Sequence, residues 1–179
     1  MARKKTGKIF ETETARSLAY LNDPKIALRI PDVQGARFVL EKAVDFVMLW
    51  RGQGWLIECK ASLATSFPLS NIQEHQLVAL REAAKSGNQG ILLISMRKYK
   101  PPATFAVHIY HLMKFWPKDR KSLTMDWLEK YGVSLPWINI PTPHLKTKTK
   151  HGWNLEKLEY YLEHDEIGEI LESLMPAIL

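Results

Sequence analysis

VDFVMLWRGQGWLIECK, residues 44–60, is the stretch from which the fold can be read. Two strongly apolar runs, Val44 to Trp50 and Trp55 to Lys60, flank Arg51-Gly52-Gln53-Gly54, and apolar runs of this length on either side of a glycine-rich turn predict a β-hairpin. The hairpin carries three charged side chains among apolar ones: Asp45, Glu58 and Lys60. Side chains alternate across a sheet, so Glu58 and Lys60, two apart, share a face. A two-residue loop at Arg51-Gly52 sets Asp45 opposite Glu58, and a four-residue loop sets it opposite Lys60. Both registers bring the three together. A three-residue loop would turn Asp45 to the other face, because a slip of one residue reverses every side chain.

The sequence around the hairpin predicts an α/β core with a mixed central sheet flanked by helices. Ile9, Phe10, Ala15, Leu18 and Leu21 mark an amphipathic first helix behind a basic N-terminal arm, with a stop at Asn22-Asp23-Pro24. Ile26 to Ile30 reads as a strand, broken from Pro31 through Gly35. After the hairpin, Ser70 as N-cap with Gln73 three residues on opens a helix that ends at Gly87. Gly90 to Met96 and Thr104 to Tyr110 read as two more strands. Beyond residue 112 short helices are expected at Leu112 to Trp116 and Ser122 to Lys130, then a proline-broken connection from Pro136 to Pro143 that cannot be a central strand. A basic loop near 144–151 and a final helix through Leu155, Leu158 and Leu162 follow. The expected division is a core over residues 1–120 and a helical extension packed on it over 121–179.

Of 179 residues, 46% are hydrophobic and 25% charged, an ordinary balance for a folded domain. No apolar run approaches the roughly 20 residues of a membrane span. MARKKTGK has no apolar segment behind it, so a cytoplasmic location is expected, and the single Cys59 suits a reducing compartment. The net charge of +6 hides an asymmetry: residues 1–151 carry 24 Lys and Arg against 12 Asp and Glu, whereas residues 152–179 carry one against seven. A body that basic favours a polyanionic partner through counterion release. Phosphate contacts are expected from Lys4, Lys5, Arg16, Arg37, Arg97, Lys98 and Lys100, and from the arm of Lys146, Lys148 and Lys150.

Carboxylates facing each other across strands are destabilising unless positive charge lies between them. Lys60 supplies one charge, and a hard divalent ion, Mg²⁺ or Mn²⁺, suits oxygen ligands. Such an ion polarises a phosphoryl oxygen and makes hydroxide available near neutral pH. No zinc-type cluster, phosphate-binding loop or dinucleotide fingerprint is present. Cys59 faces away from the acids and reads as a small buried hydrophobe.

Asp45, Glu58-Cys59-Lys60, Ser66-Phe67-Pro68-Leu69, Asn71 and Glu74-His75-Gln76 together resemble the RecU family of Holliday junction resolvases, within the PD-(D/E)xK nucleases. The resemblance extends over residues 6 to 122, from GKIFE at the first helix to KFWPKDRKSL. It implies a restriction-endonuclease-like core and a Mg²⁺-dependent endodeoxyribonuclease. The enzyme would act as a homodimer that nicks a four-way DNA junction symmetrically, with no membrane partner. It nominates Asp45, Glu58 and Glu11 as metal ligands, Lys60 and Gln76 as further catalytic groups, and His75 as a DNA contact or local cap; Glu13 is a weaker candidate carboxylate. The family's stalk between the first strand and the Asp strand is shortened here to Pro31 to Lys42. That leaves a second reading open, another nuclease of the superfamily acting on duplex or flap DNA.

Overall fold

A computed structural model of the chain describes residues 2–22, 25–31, 42–116, 120–141 and 149–163, with backbone only for residues 2–5. In chain order its elements are α1 (Ala2–Tyr20), β1 (Lys25–Arg29), β2 (Phe46–Trp50), β3 (Gln53–Ser62), β4 (Phe67–Pro68), α2 (Glu74–Lys85), β5 (Gln89–Met96) and β6 (Ala103–His108). There follow α3 (Ile109–Lys114), β7 (Ser122–Leu123), α4 (Met125–Tyr131), β8 (Val133–Ser134), β9 (Trp137–Pro141), β10 (Thr149–Trp153) and α5 (Tyr160–Glu163).

Among the described residues six strands form the central sheet in the order β1-β2-β3-β5-β6-β8. Only β3 and β5 run parallel, and every other neighbouring pair is antiparallel, so the sheet is mixed as expected. The parallel pair is joined through α2. All eight residues of β5 are buried, the pattern of a strand covered on both faces. On one face α1, the β9–β10 hairpin and the segment from Leu155 to Tyr161 bury Phe46, Met48, Trp50, Trp55, Ile57 and Cys59. On the other, α2, α3 and α4 bury Leu92, Ile94, Phe105 and Val107.

The β2–β3 turn is a two-residue one. Trp50 pairs with Gln53, and Arg51 and Gly52 have φ of 52° and 76°. Two central residues at positive φ make the primed turn whose twist matches paired strands. Gln53 and Gly54 therefore belong to β3.

Helix α2 lies so close to β5 that a Cβ on Gly90 would sit 2.2 Å from the Leu80 carbonyl oxygen. That contact is backbone and cannot swing aside. Gly90→Ala is expected to cost about 3 kcal/mol or more, within the range of severe core overpacking, and to lower the denaturant midpoint accordingly. An unchanged midpoint would mean the helix stands farther off.

The basic N-terminal residues are not an arm: the helix begins at Ala2. It buries Phe10, Thr14, Ser17 and Leu18, while Ile9 is 46% exposed. Polar Thr14 and Ser17 belong to the buried stripe because Ser17 Oγ donates to the Glu13 carbonyl and accepts from the Trp153 amide, and the Thr14 hydroxyl meets Cys59. The α2 N-cap is Gln73, not Ser70. Leu69 to Asn71 form a separate 3₁₀ turn, held because Phe67-Pro68 pair with Ser122-Leu123 and the Leu69 amide bonds the Lys121 carbonyl.

Nor do the described residues after 120 form a helical extension. β8 joins the central sheet beside β6, and β9 and β10 form a hairpin against α1. Trp153, Leu155, Leu158 and Tyr161 share one core with α1 and β2, so no boundary falls at residue 120. Proline at the ends of β9 is tolerated in a two-stranded hairpin outside the main sheet. Residues 142–148 of the expected basic loop lie outside the described residues, and Lys150 sits in β10.

Candidate active site

Asp45 is the last residue before β2, and its backbone continues the strand pairing. The Asp45 amide bonds the Ile57 carbonyl at 3.0 Å, and its own carbonyl accepts from the Ile30 amide at 2.9 Å. Extending the β2–β3 register by one residue sets Asp45 opposite Glu58. Strand alternation puts Asp45 with Val47, and Glu58 with Leu56 and Lys60, on the face covered by α2. Of the registers open from the sequence, this is the two-residue one.

Both acids are buried, Asp45 to 5% exposure and Glu58 to 3%. Asp45 Oδ2 accepts from the Cys59 amide at 2.8 Å, and Oδ1 is ion-paired with Lys42 Nζ at 2.5 Å. Glu58 Oε1 receives Lys60 Nζ at 2.9 Å and Gln76 Nε2 at 2.8 Å. Glu58 Oε2 is buried with no hydrogen-bond partner among the described residues. The Glu58 carboxyl is pushed up to about 7, first by burial and then by Asp45 opposite, with Lys60 and Lys42 offsetting part of the rise. An acid whose proton sits that near neutrality, beside another acid and two ammonium groups, is the kind of arrangement that marks working sites.

Gln76 reaches the site because α2 carries it on the same stripe as Leu80, Ala83 and Ala84, which face the sheet. Its amide is oriented from both ends. Oε1 accepts from the Gln73 amide at the helix N-terminus, so Nε2 must point to Glu58. If the pair serves hydrolysis, Gln76→Ala is expected to lower kcat by about 10- to 100-fold, as loss of a partner that orients a working carboxylate does, with little change in substrate affinity. A single-turnover rate equal to that of the unsubstituted protein would remove Gln76 from the site.

Two of the nominated acids lie elsewhere. Glu11 is ion-paired with Arg29 of β1, and Glu13 takes Arg97 in a two-pronged pair. Both belong to α1, which packs on the Cys59 face, whereas Asp45 and Glu58 point to the α2 face. Among the described residues no group of three His, Cys, Asp or Glu side chains gathers around one point. The acid set in this arrangement is therefore Asp45 and Glu58, and Glu11 is not joined to it.

Arg97 also departs from its expected role as a phosphate contact. Its side chain is 10% exposed, paired with Glu13 and stacked near Phe10 and Trp153, which ties α1 to the sheet. Arg16 donates to the His151 carbonyl. His75 Nε2 lies 3.2 Å from the Lys42 carbonyl. Lys98, Lys100 and Lys150 are exposed. The side chains of Lys4 and Lys5, and Arg37, Lys146 and Lys148, lie outside the described residues. Cys59 is buried, its thiol pushed up by burial, in keeping with a structural role. Lys42 is the residue at the acid pair that the sequence does not single out, a lysine three residues ahead of the strand aspartate.

The family model for Recombination protein U matches residues 5–147. A Holliday junction resolvase RecU of Pediococcus pentosaceus is 29% identical over 124 residues, 66% of this chain and 61% of that protein. That of Shouchella clausii is 29% identical over 119 residues, 64% and 56% of the two chains. The chain thus spans about three fifths of the length of these curated relatives. Among solved structures, Hjc of Archaeoglobus fulgidus, a Holliday junction resolvase, aligns with a TM-score of 0.47 at 13% identity, covering 73% of this chain and 94% of that one.

Proposed function

Since the chain belongs to the RecU family, its match running over residues 5–147, we propose that it is a structure-selective endonuclease that resolves four-way DNA junctions by nicking phosphodiester bonds. The observation that carries this reading is the buried Asp45–Glu58 pair on adjacent strands, flanked by Lys42, Lys60 and Gln76, with one carboxylate oxygen left without a partner. A pair of buried acids facing a polyanion opposes binding, and a protein that only held DNA would gain nothing from it.

The donor set fits Mg²⁺ or Mn²⁺. These ions take oxygen ligands, and Mg²⁺ is commonly held by one or two carboxylates while keeping several waters. Asp45 and Glu58 would hold the ion, which supplies Lewis-acid polarisation of the phosphoryl oxygen and a more acidic water. The chain's own groups do the rest. Lys60 sits two residues from Glu58 on the same face, placed to stabilise charge that develops on the phosphoryl oxygens. Gln76 fixes the Glu58 carboxylate through Oε1 and leaves Oε2 for ligation. The exposed Lys98, Lys100 and Lys150 would contact phosphates rather than bases, which gives selectivity for shape with little sequence readout.

A homodimer suits this substrate, because two sites related by a two-fold axis match the symmetry of the junction. Among the described residues no helix is long and apolar enough to cross a membrane. The direct test incubates the protein with synthetic four-way junctions and with linear duplex and flap DNA, in Mg²⁺ and in chelator. Paired nicks in the junction, dependent on Mg²⁺ and absent from duplex, are expected. Cutting of duplex or flaps at equal rate would replace junction selectivity with the broader nuclease reading.

A further inference from the structure

Lys42 holds the Asp45 oxygen that is not engaged by the strand contact to Cys59. Asp45 Oδ2 is committed to the Cys59 amide, a bond that fixes the aspartate against β3. Oδ1 is held by Lys42 Nζ at 2.5 Å, in a pair whose side chains are 16% and 7% exposed. The lysine is itself pinned. Its carbonyl is 3.2 Å from Nε2 of His75, in the first turn of α2 and adjacent to Gln76. Lys42 also acts on the other acid, since its charge pulls the Glu58 carboxyl down against burial. Lys60 is placed differently. It meets Glu58 on Oε1, which it shares with Gln76, and leaves Oε2 without a partner.

The two lysines therefore differ in what they block. An ammonium and a divalent cation on one carboxylate oxygen repel each other, and in a site this buried the repulsion is weakly screened. Resting on the metal-dependent reading above, we infer that Lys42 is a metal-gating residue: its ammonium serves as the resident counterion of Asp45 and must leave Oδ1 for a divalent ion to bind. It keeps the paired acids tolerable in the metal-free protein, where two buried carboxylates alone would repel. It also lowers the affinity for metal by the free energy of the pair that is broken. The released ammonium is then a cation beside the site where a phosphodiester would lie, so that DNA and metal favour each other's binding.

Calorimetric titration of the full chain with Mn²⁺ tests this without recourse to cleavage. Lys42→Gln is expected to bind Mn²⁺ about tenfold tighter than the unsubstituted protein, as removal of a directly competing charge on a buried ligand should. Lys42→Arg, which restores the ion pair, should return the weaker affinity. Lys60→Gln removes the same charge from the same cluster without freeing Asp45 Oδ1 and should tighten binding less. If Lys42→Gln binds no tighter, or if Lys60→Gln matches it, the gate is overturned and a general electrostatic effect takes its place. Asp45→Asn, titrated in parallel, keeps the two readings apart. Loss of Mn²⁺ binding there upholds the metal site even when the gate fails, and undiminished binding sinks both.

Discussion

Asp45→Asn is expected to lower the rate of junction cleavage by about three orders of magnitude or more, while junction affinity measured without metal stays the same or rises. The asparagine is isosteric, and its amide oxygen can still accept from the Cys59 amide, so the hairpin should be undisturbed. What is lost is the charge. Half of the proposed donor set becomes neutral, and an amide nitrogen is placed against the Lys42 ammonium. Taking a negative charge out of a surface that receives phosphates cannot weaken phosphate attraction, so binding and cutting should separate. Single-turnover cleavage in Mg²⁺ and a mobility shift on the same junction in chelator, where the metal makes no contribution to DNA binding, make the comparison. Metal-dependent nicking by Asp45→Asn at an undiminished rate would show that the chemistry is done somewhere other than the hairpin.

That hairpin was the most legible part of the chain, and for a physical reason. Its strands are apolar on both faces, so any charged residue in them stands out, and Gly52 marks the turn without help from tertiary contacts. The sequence alone left loops of two and four residues open. The choice was made by Arg51, which adopts a positive φ that a residue other than glycine rarely takes, and nothing in its chemistry announces that. The helix that follows is marked by a capping pattern, Ser70 with Gln73 three residues on, which puts its start three residues early. The SFPL segment is ordered by Ser122 and Leu123, more than fifty residues away, and pairing at that distance leaves no local periodicity.

Other misreadings have the same origin. The first helix buries Thr14 and Ser17 through hydrogen bonds made to distant backbone and side chains, so its true stripe is partly polar. β10 exposes Thr149, Lys150 and His151 and buries only Gly152 and Trp153, which in sequence looks like a solvated loop. Within the site, Asp45, Glu58, Lys60 and Gln76 were legible because three lie on the hairpin and the fourth opens the helix that returns to it. Glu11 was carried over from the resemblance alone, and the geometry pairs it with Arg29 instead. Lys42 precedes the strand, where a lysine is ordinary, and only the coordinates bring it to Asp45.

In the absence of metal, the thermal stability of the protein should fall as pH rises from about 5.5 to 8.5, and most of that fall should vanish in Glu58→Gln. The Glu58 carboxyl has its folded-state pKa raised to about 7 from an ordinary 4.5, so the folded state favours the protonated form. A raised folded pKa contributes stability that is fully present below the unfolded value and is lost as pH climbs through the folded one. With Glu58 3% exposed, the full ionisation penalty is on the order of 3 kcal/mol, of which about 2 kcal/mol falls between pH 5.5 and 8.5; for a chain of 179 residues that corresponds to roughly 4–8 °C in Tm. Mg²⁺ should reverse the loss at pH 8.5 and have little effect at pH 5.5, because the ion and the proton compete for the same carboxylate. Cleavage should accordingly rise through pH 7 at limiting metal and shift to lower pH as metal is raised. Melting curves for both proteins at the two pH values, with Mg²⁺ and with chelator, supply the comparison. Equal pH dependence in the native and Glu58→Gln proteins would mean that Glu58 is already ionised in the folded state, with Lys42 and Lys60 together outweighing its burial.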